Sequence, residues 1–253
     1  MATTTYPLSG LSLLQPFASA VAFGHKKAEN RDWRRLLDGP IWVALHAGKD
    51  LYTGAERIVS DYRRMGLWPD PPKLEEMPRS AILGAVRIDE VLPYSIQDPS
   101  PKARPGDLIT NPRLAKDLWA FGPWCWMVGE VRLLDQPIPC RGMPGLFPLW
   151  SEKAAREGRP NPSQLTKAQV EQIHALTRRW SFGLPPRSGW YEIEGYPTPV
   201  LVTRSGDAPP GCGGYTWQRT PEDDPEALSE ITGMVEGGRG WRVPGPKRAI
   251  NEG

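Results

Sequence analysis

The apolar positions of this chain fall into short runs whose period changes from stretch to stretch. Leu11 to Leu14 reads as a first strand. The segment that follows, opened by Pro16 and closed by Gly24, reads as one brief helix, with proline at its start and glycine past its end. Ile41, Val43 and Leu45 alternate with Trp42, Ala44 and His46, the two-residue period of a strand covered on both faces. Leu51, Ala55, Ile58, Val59, Tyr62 and Met65 recur at helical spacing, which predicts a helix from Leu51 to Met65, capped by Asp50 and ended by Gly66.

Two further strands follow. Ser80 to Leu92 alternates throughout, and Gly84 within it marks a bulge or the close approach of another backbone. Residues 93–113 hold five prolines, Pro93, Pro99, Pro101, Pro105 and Pro112, and are expected to be irregular. Trp124 to Leu134 is the last strong strand; Glu130, set in its apolar row, either pairs with a cation near the Lys26 cluster or lies on the solvent side of the strand's end, and the second is expected. Beyond residue 150 the pattern thins to a polar linker, a helix from Leu165 to Trp180 and a hairpin from Trp190 to Val202 around Gly195. Residues 206–253 carry little apolar periodicity and are expected to be largely irregular, as is the tip of the leader at residues 1–7.

Composition sharpens the class. With 29 prolines and 26 glycines among 253 residues, a loop-rich α+β, mainly β protein fits better than a helical bundle. The formal net charge is +2, so any surface for a polyanion must be local, and Lys26, Lys27, Arg31, Arg34 and Arg35 supply the obvious cluster. Three cysteines, Cys125, Cys140 and Cys212, form no C-x-x-C pair; neither a disulfide framework nor a metal knuckle is indicated, and no cofactor is implied. No run reaches the length of a membrane span. A soluble cytoplasmic protein in a reducing compartment is expected.

The stretch Gly24 to Arg35, GHKKAENRDWRR, gathers an acid, cations and an indole. In extended backbone, Glu29, Arg31 and Trp33 share one face, Asn30 and Asp32 the other, and Lys26 at the turn is free to swing over the first. Such a set can hold a phosphate, meet the polar edge of a base and stack on its ring. Gly24, Lys26, Glu29 and Arg31 also reproduce the G-x-K-x-x-E-x-R signature of the ASCH family, the activating-signal-cointegrator homology domains. The flanks resemble that family as well: Leu11-Ser12 with Gln15-Pro16-Phe17-Ala18 at its opening, Trp33 after the signature, Gly39 to Ala44 and His46 to Lys49 as its next strand, Ala81 to Val86 as the one after.

The resemblance covers residues 8–150 and implies a PUA-like small β-barrel with short flanking helices, its closing strand between Pro137 and Trp150. A C-terminal helical and hairpin extension over 151–205 would pack on the barrel, ahead of the irregular tail at 206–253. It further implies a module that binds RNA, DNA or a modified nucleotide, RNA favoured, through Gln15, Lys26, Lys27, Glu29, Arg31, Trp33, Arg34 and His46. Some ASCH proteins resemble hydrolases of acetylcytidine or of RNA, and Lys26 and Glu29 would then be the catalytic pair. That branch carries threonine where this chain has Glu29. A third reading makes the barrel a scaffold and gives the extension a protein partner.

Overall fold

The computed structural model describes residues 8–37, 39–100, 104 and 106–178, together with the backbone of four later strands. The leader at 1–7, Cys212 and most of 179–253 lie outside the described residues. The elements in chain order are β1 (Ser9–Gln15), α1 (Phe17–Ala22), β2 (Ala28–Arg31), β3 (Ile41–Leu51), α2 (Ala55–Arg64) and β4 (Ala81–Pro93). A short hairpin, β5 (Ser95–Gln97) and β6 (Leu108–Thr110), precedes β7 (Trp124–Pro139) and β8 (Leu146–Pro148). Then come α3 (Glu152–Arg156), α4 (Lys167–Thr177), β9 (Gly189–Ile193), β10 (Val200–Arg204), β11 (Tyr215–Gln218) and β12 (Trp241–Arg242). The architecture is α+β, mainly β.

Six strands form one mixed sheet in the order β2-β7-β4-β3-β1-β8, in which β1 and β3 run parallel and every other neighbour is antiparallel. The ends of the sheet are β2 and β8. Among the described residues no pairing joins them, so hydrogen bonding leaves the expected barrel open.

The sheet nevertheless coils strongly. Laid flat, β2 and β1 would stand four strand spacings apart, about 19 Å, beyond the reach of any side chain. Arg31 on β2 donates from Nη2 to the Ser12 carbonyl on β1 at 2.7 Å. Inside the curl lie Leu11, Leu13, Val43, Leu45, Val86, Ile88, Trp126 and Val128, with Ala18, Val21 and Ala22 of α1 closing one side. The Trp126 ring is fully buried, a removal from water of roughly 200 Å² that contributes about 5 kcal/mol before entropy is counted. On the opposite face α4 sets Val170 and Ile173 against Ile82, Ile138 and Phe147.

Several expectations shift in the structure. The helix expected from Leu51 begins at Ala55, because β3 runs on to Leu51 and pairs it with Gln15 of β1; Asp50 therefore lies in a strand and caps nothing. Gly54, at φ +82°, makes the left-handed turn into α2 that a side chain would resist. The long strand after residue 124 continues through Pro137 to Pro139, and the closing segment shrinks to the three residues of β8. Within 93–113, expected to be irregular, β5 and β6 pair as a hairpin.

At Gly84 the ladder with β7 slips register, and a Cβ there would come within 2.2 Å of the Arg132 carbonyl, so the glycine answers a close backbone approach. Glu130 is not a solvated strand end. It lies between Arg87 at 2.7 Å and Arg132 at 2.6 Å, and Arg87 also meets Asp89 at 2.6 Å. The hairpin expected at 190–202 is present as β9 and β10, and β11 and β12 extend it to four strands, the last two drawn from the stretch expected to be irregular.

Candidate nucleic-acid interface

The signature residues are positioned by the exit from α1. All six residues of that helix are buried, and its first turn is fastened from outside. The buried Gln15 amide accepts from Ser19 N at 3.0 Å and donates to the Pro78 carbonyl at 2.7 Å. At the other end Gly24 takes φ +77°, and the backbone N–H groups of His25 and Lys26 both return to the Ala20 carbonyl, which turns the chain back on itself. The turn points Lys26 inward.

Lys26 is accordingly 1 % exposed, which corrects the expectation of a side chain free to swing over the strand. Its aliphatic stem lies in the core, and its ammonium is 5.7 Å from the centroid of the Phe17 ring. Burial is tolerated because the charge is met. The ammonium donates to the Ala28 carbonyl and lies 2.9 Å from Glu29 Oε2. The other Glu29 oxygen is 3.2 Å from Arg31 Nη2, the same nitrogen that reaches Ser12. Lys26 and Glu29, the candidate catalytic pair, thus face each other, and Lys26 is a donor on two sides. Arg31 keeps a buried Nε without a partner.

Through its side chain Ser12 meets His46. The two are register partners on the parallel strands β1 and β3, and Ser12 Oγ is 2.9 Å from His46 Nδ1. The other ring nitrogen, Nε2, is 3.1 Å from the Cys140 carbonyl. A carbonyl only accepts, so Nε2 carries the proton; burial pushes the His46 pKa down and keeps the ring neutral, so Nδ1 accepts from the Ser12 hydroxyl. Gly142 lies directly against this pair, for a Cβ there would stand 2.3 Å from His46 Cε1. Lys26, Glu29 and Arg31 therefore form one ionic network, and Ser12 lies between it and His46, its carbonyl meeting Arg31 and its hydroxyl meeting the imidazole, a placement that sequence reasoning missed.

The remaining site candidates lie elsewhere. Gln15 makes its own separate bonds at the head of α1. Trp33, half-buried, packs edge-on against Trp126, ring centroids 4.7 Å apart. Lys27 and Arg34 are exposed, as is Arg35, and Arg34 rests over the Trp124 ring at 5.1 Å. The arrangement is a buried ionic brace, with Lys27 exposed before β2 and Arg34 and Arg35 exposed after it. Such cations can take up phosphate oxygens with little loss of hydration, whereas the inner charges are already satisfied by one another.

A hollow of about 500 Å³ opens beside Arg34, bounded by Pro93, Tyr94, Phe121, Pro123 and Trp124. It lies where β2, β7 and β4 end together, since Trp124 pairs with both Arg31 and Pro93. No motif announced it; the aromatic residues come from segments far apart in the chain. Among the described residues no group of three or more His, Cys, Asp or Glu is placed to hold a metal ion, and no helix is long and apolar enough to cross a membrane. Cys125 and Cys140 are buried free thiols, and burial raises the Cys140 pKa to about 11. No protein-family model matches the sequence, and no curated protein matches it significantly.

Proposed function

We propose that the chain is an ASCH-type module on a PUA-like, coiled β framework, and that it binds nucleic acid or a modified nucleotide, with RNA favoured. One observation carries the reading. The two cations of the signature, Lys26 and Arg31, converge on its one acid, Glu29, within 3.2 Å. That convergence fixes the turn from α1 into β2. In this reading Lys27, before β2, and Arg34 and Arg35, after it, form a cationic rim, while the triad braces the strand between them. Phosphates meet the exposed cations, and Arg31, the least buried member of the triad with 16 % of its side chain exposed, lies nearest the ligand.

Salt dependence is the test. A labelled single-stranded oligoribonucleotide titrated by fluorescence anisotropy should lose affinity steeply between about 50 and about 200 mM salt, as released counterions require. Unlabelled DNA of the same sequence and free nucleosides, used as competitors, rank the ligand classes. Affinity that does not respond to salt, or no binding at any salt concentration, overturns the reading.

A further inference from the structure

The hollow at the joint end of β2, β7 and β4 has two properties that the signature does not explain: it exposes aromatic surface, and it is tied to the signature strand by Asn30. Asn30 Oδ1 accepts from the backbone N–H groups of both Phe121 and Gly122, each at 2.9 Å, and its Nδ2 donates to the Trp119 carbonyl at 2.7 Å. Gly122 must be glycine for this fit, since a Cβ would fall 2.7 Å from that of Asn30. The opposite wall is fastened too: Tyr94 N donates to the Pro123 carbonyl at 2.9 Å, and Asn111 N to the Tyr94 carbonyl at 2.7 Å.

Within this fixed frame Phe121 stands 54 % exposed, a large ring left in water on a wall that could have hidden it. Arg34 lies over Trp124, so one end of the hollow already stacks a planar cation on an indole. Exposed ring faces beside exposed cations match the two halves of an unpaired nucleotide, its base and its phosphate.

We propose that this hollow is a stacking subsite for an unpaired base of single-stranded nucleic acid, with Phe121 as the ring that receives it and Arg34 holding the adjoining phosphate. The proposal rests on the nucleic-acid reading above and adds to it a preference for single strands with bases over backbone charge alone. Asn30 is a positioning residue: it holds the Phe121 wall in register with the cationic rim.

The test compares two labelled strands of about ten nucleotides, one oligouridylate and one with abasic sites of the same length and charge, against the native protein, Phe121→Ala and Phe121→Leu. Leucine keeps the apolar bulk and removes the ring. The native protein should bind the base-bearing strand roughly tenfold more tightly than the abasic one. Both variants should lose that preference while keeping native affinity for the abasic strand, the native salt dependence and a native melting temperature. Equal native affinity for the two strands, with salt dependence intact, overturns the subsite and leaves the nucleic-acid reading standing, as does a preference that survives in both variants. Tighter binding to a duplex of the same sequence also overturns the subsite. Binding to neither strand overturns both.

Discussion

The ammonium of Lys26 lies 2.9 Å from the carboxylate of Glu29, with only 1 % and 10 % of the two side chains exposed, and Arg31 closes on the same carboxylate from the other side. One acid thus balances two cations, one buried and one half-buried, so it cannot be removed without leaving charge stranded. Glu29→Ala should destabilise the fold by roughly 3–5 kcal/mol. The double variant Lys26→Met with Glu29→Gln should recover part of that loss, since it removes the stranded ammonium and leaves Arg31 an acceptor. Urea denaturation of the three proteins checks this; a Glu29→Ala protein as stable as the native one would show that the pair is not a brace.

The buried, neutral His46 gives the protein a pH dependence of definite sign. Burial holds its pKa below the ordinary 6.5, partly offset by the bond to the Cys140 carbonyl. The unfolded chain therefore takes up a proton as pH falls through 6.5 before the folded protein does, so stability is full above that pH and declines below it. The slope from one such group is at most about 1.4 kcal/mol per pH unit. His174 is shifted down by burial as well, so the comparison is with His46→Gln: denaturation midpoints between about pH 7 and about pH 5 should fall less steeply in the variant.

Gly84 meets backbone rather than a yielding side chain. A methyl group there would press on the Arg132 carbonyl at 2.2 Å and the Leu133 Cα at 2.8 Å. Gly84→Ala should destabilise by about 1–3 kcal/mol, measured by thermal denaturation, because neither strand of the β4–β7 ladder can move aside without breaking register.

The sequence made the strands of the sheet legible where alternation was long, as in β4 and the first half of β7, and the two-residue period placed Glu29 and Arg31 on one face, where they meet. It concealed what depends on partners far along the chain. Glu130 looks like a solvated strand end until Arg87, 43 residues away, is brought to its carboxylate. Gly48, Lys49 and Asp50 look like a strand's end and a helix cap, yet the parallel ladder with β1 carries β3 through them to Leu51. Pro137 suggests a break, but β7 passes through it with an exposed edge. Lys26 looks mobile because nothing local says that a helix end will turn it inward. The aromatic hollow was invisible for a like reason, assembled from residues 93–95 and 121–124 by the ladder between β4 and β7.

Arg132 connects the sheet to the extension. It pairs with Glu130 at 2.6 Å, lies 4.4 Å from the Trp42 ring centroid and donates to the Leu176 carbonyl at the end of α4 at 2.6 Å. A cation there also opposes the negative end of the helix. Arg132→Met should loosen α4 before it loosens the sheet. Amide hydrogen exchange should accelerate across Lys167–Thr177 while β1 and β3 keep native protection; uniform acceleration across both would deny the helix any separate docking contact.

Contact between a polyanion and the exposed Lys27, Arg34 and Arg35 is what the proposed function rests on. It is tested most directly by the salt dependence of single-stranded RNA binding in the native protein and in the triple variant Lys27→Ala/Arg34→Ala/Arg35→Ala. All three side chains are exposed, so the variant should fold as the native protein does. Each phosphate contact on a single strand contributes about 0.7 to the slope of log affinity against log salt. Binding should be weaker in the variant, and its slope shallower by about 2. Native affinity and an unchanged slope in the triple variant would contradict it.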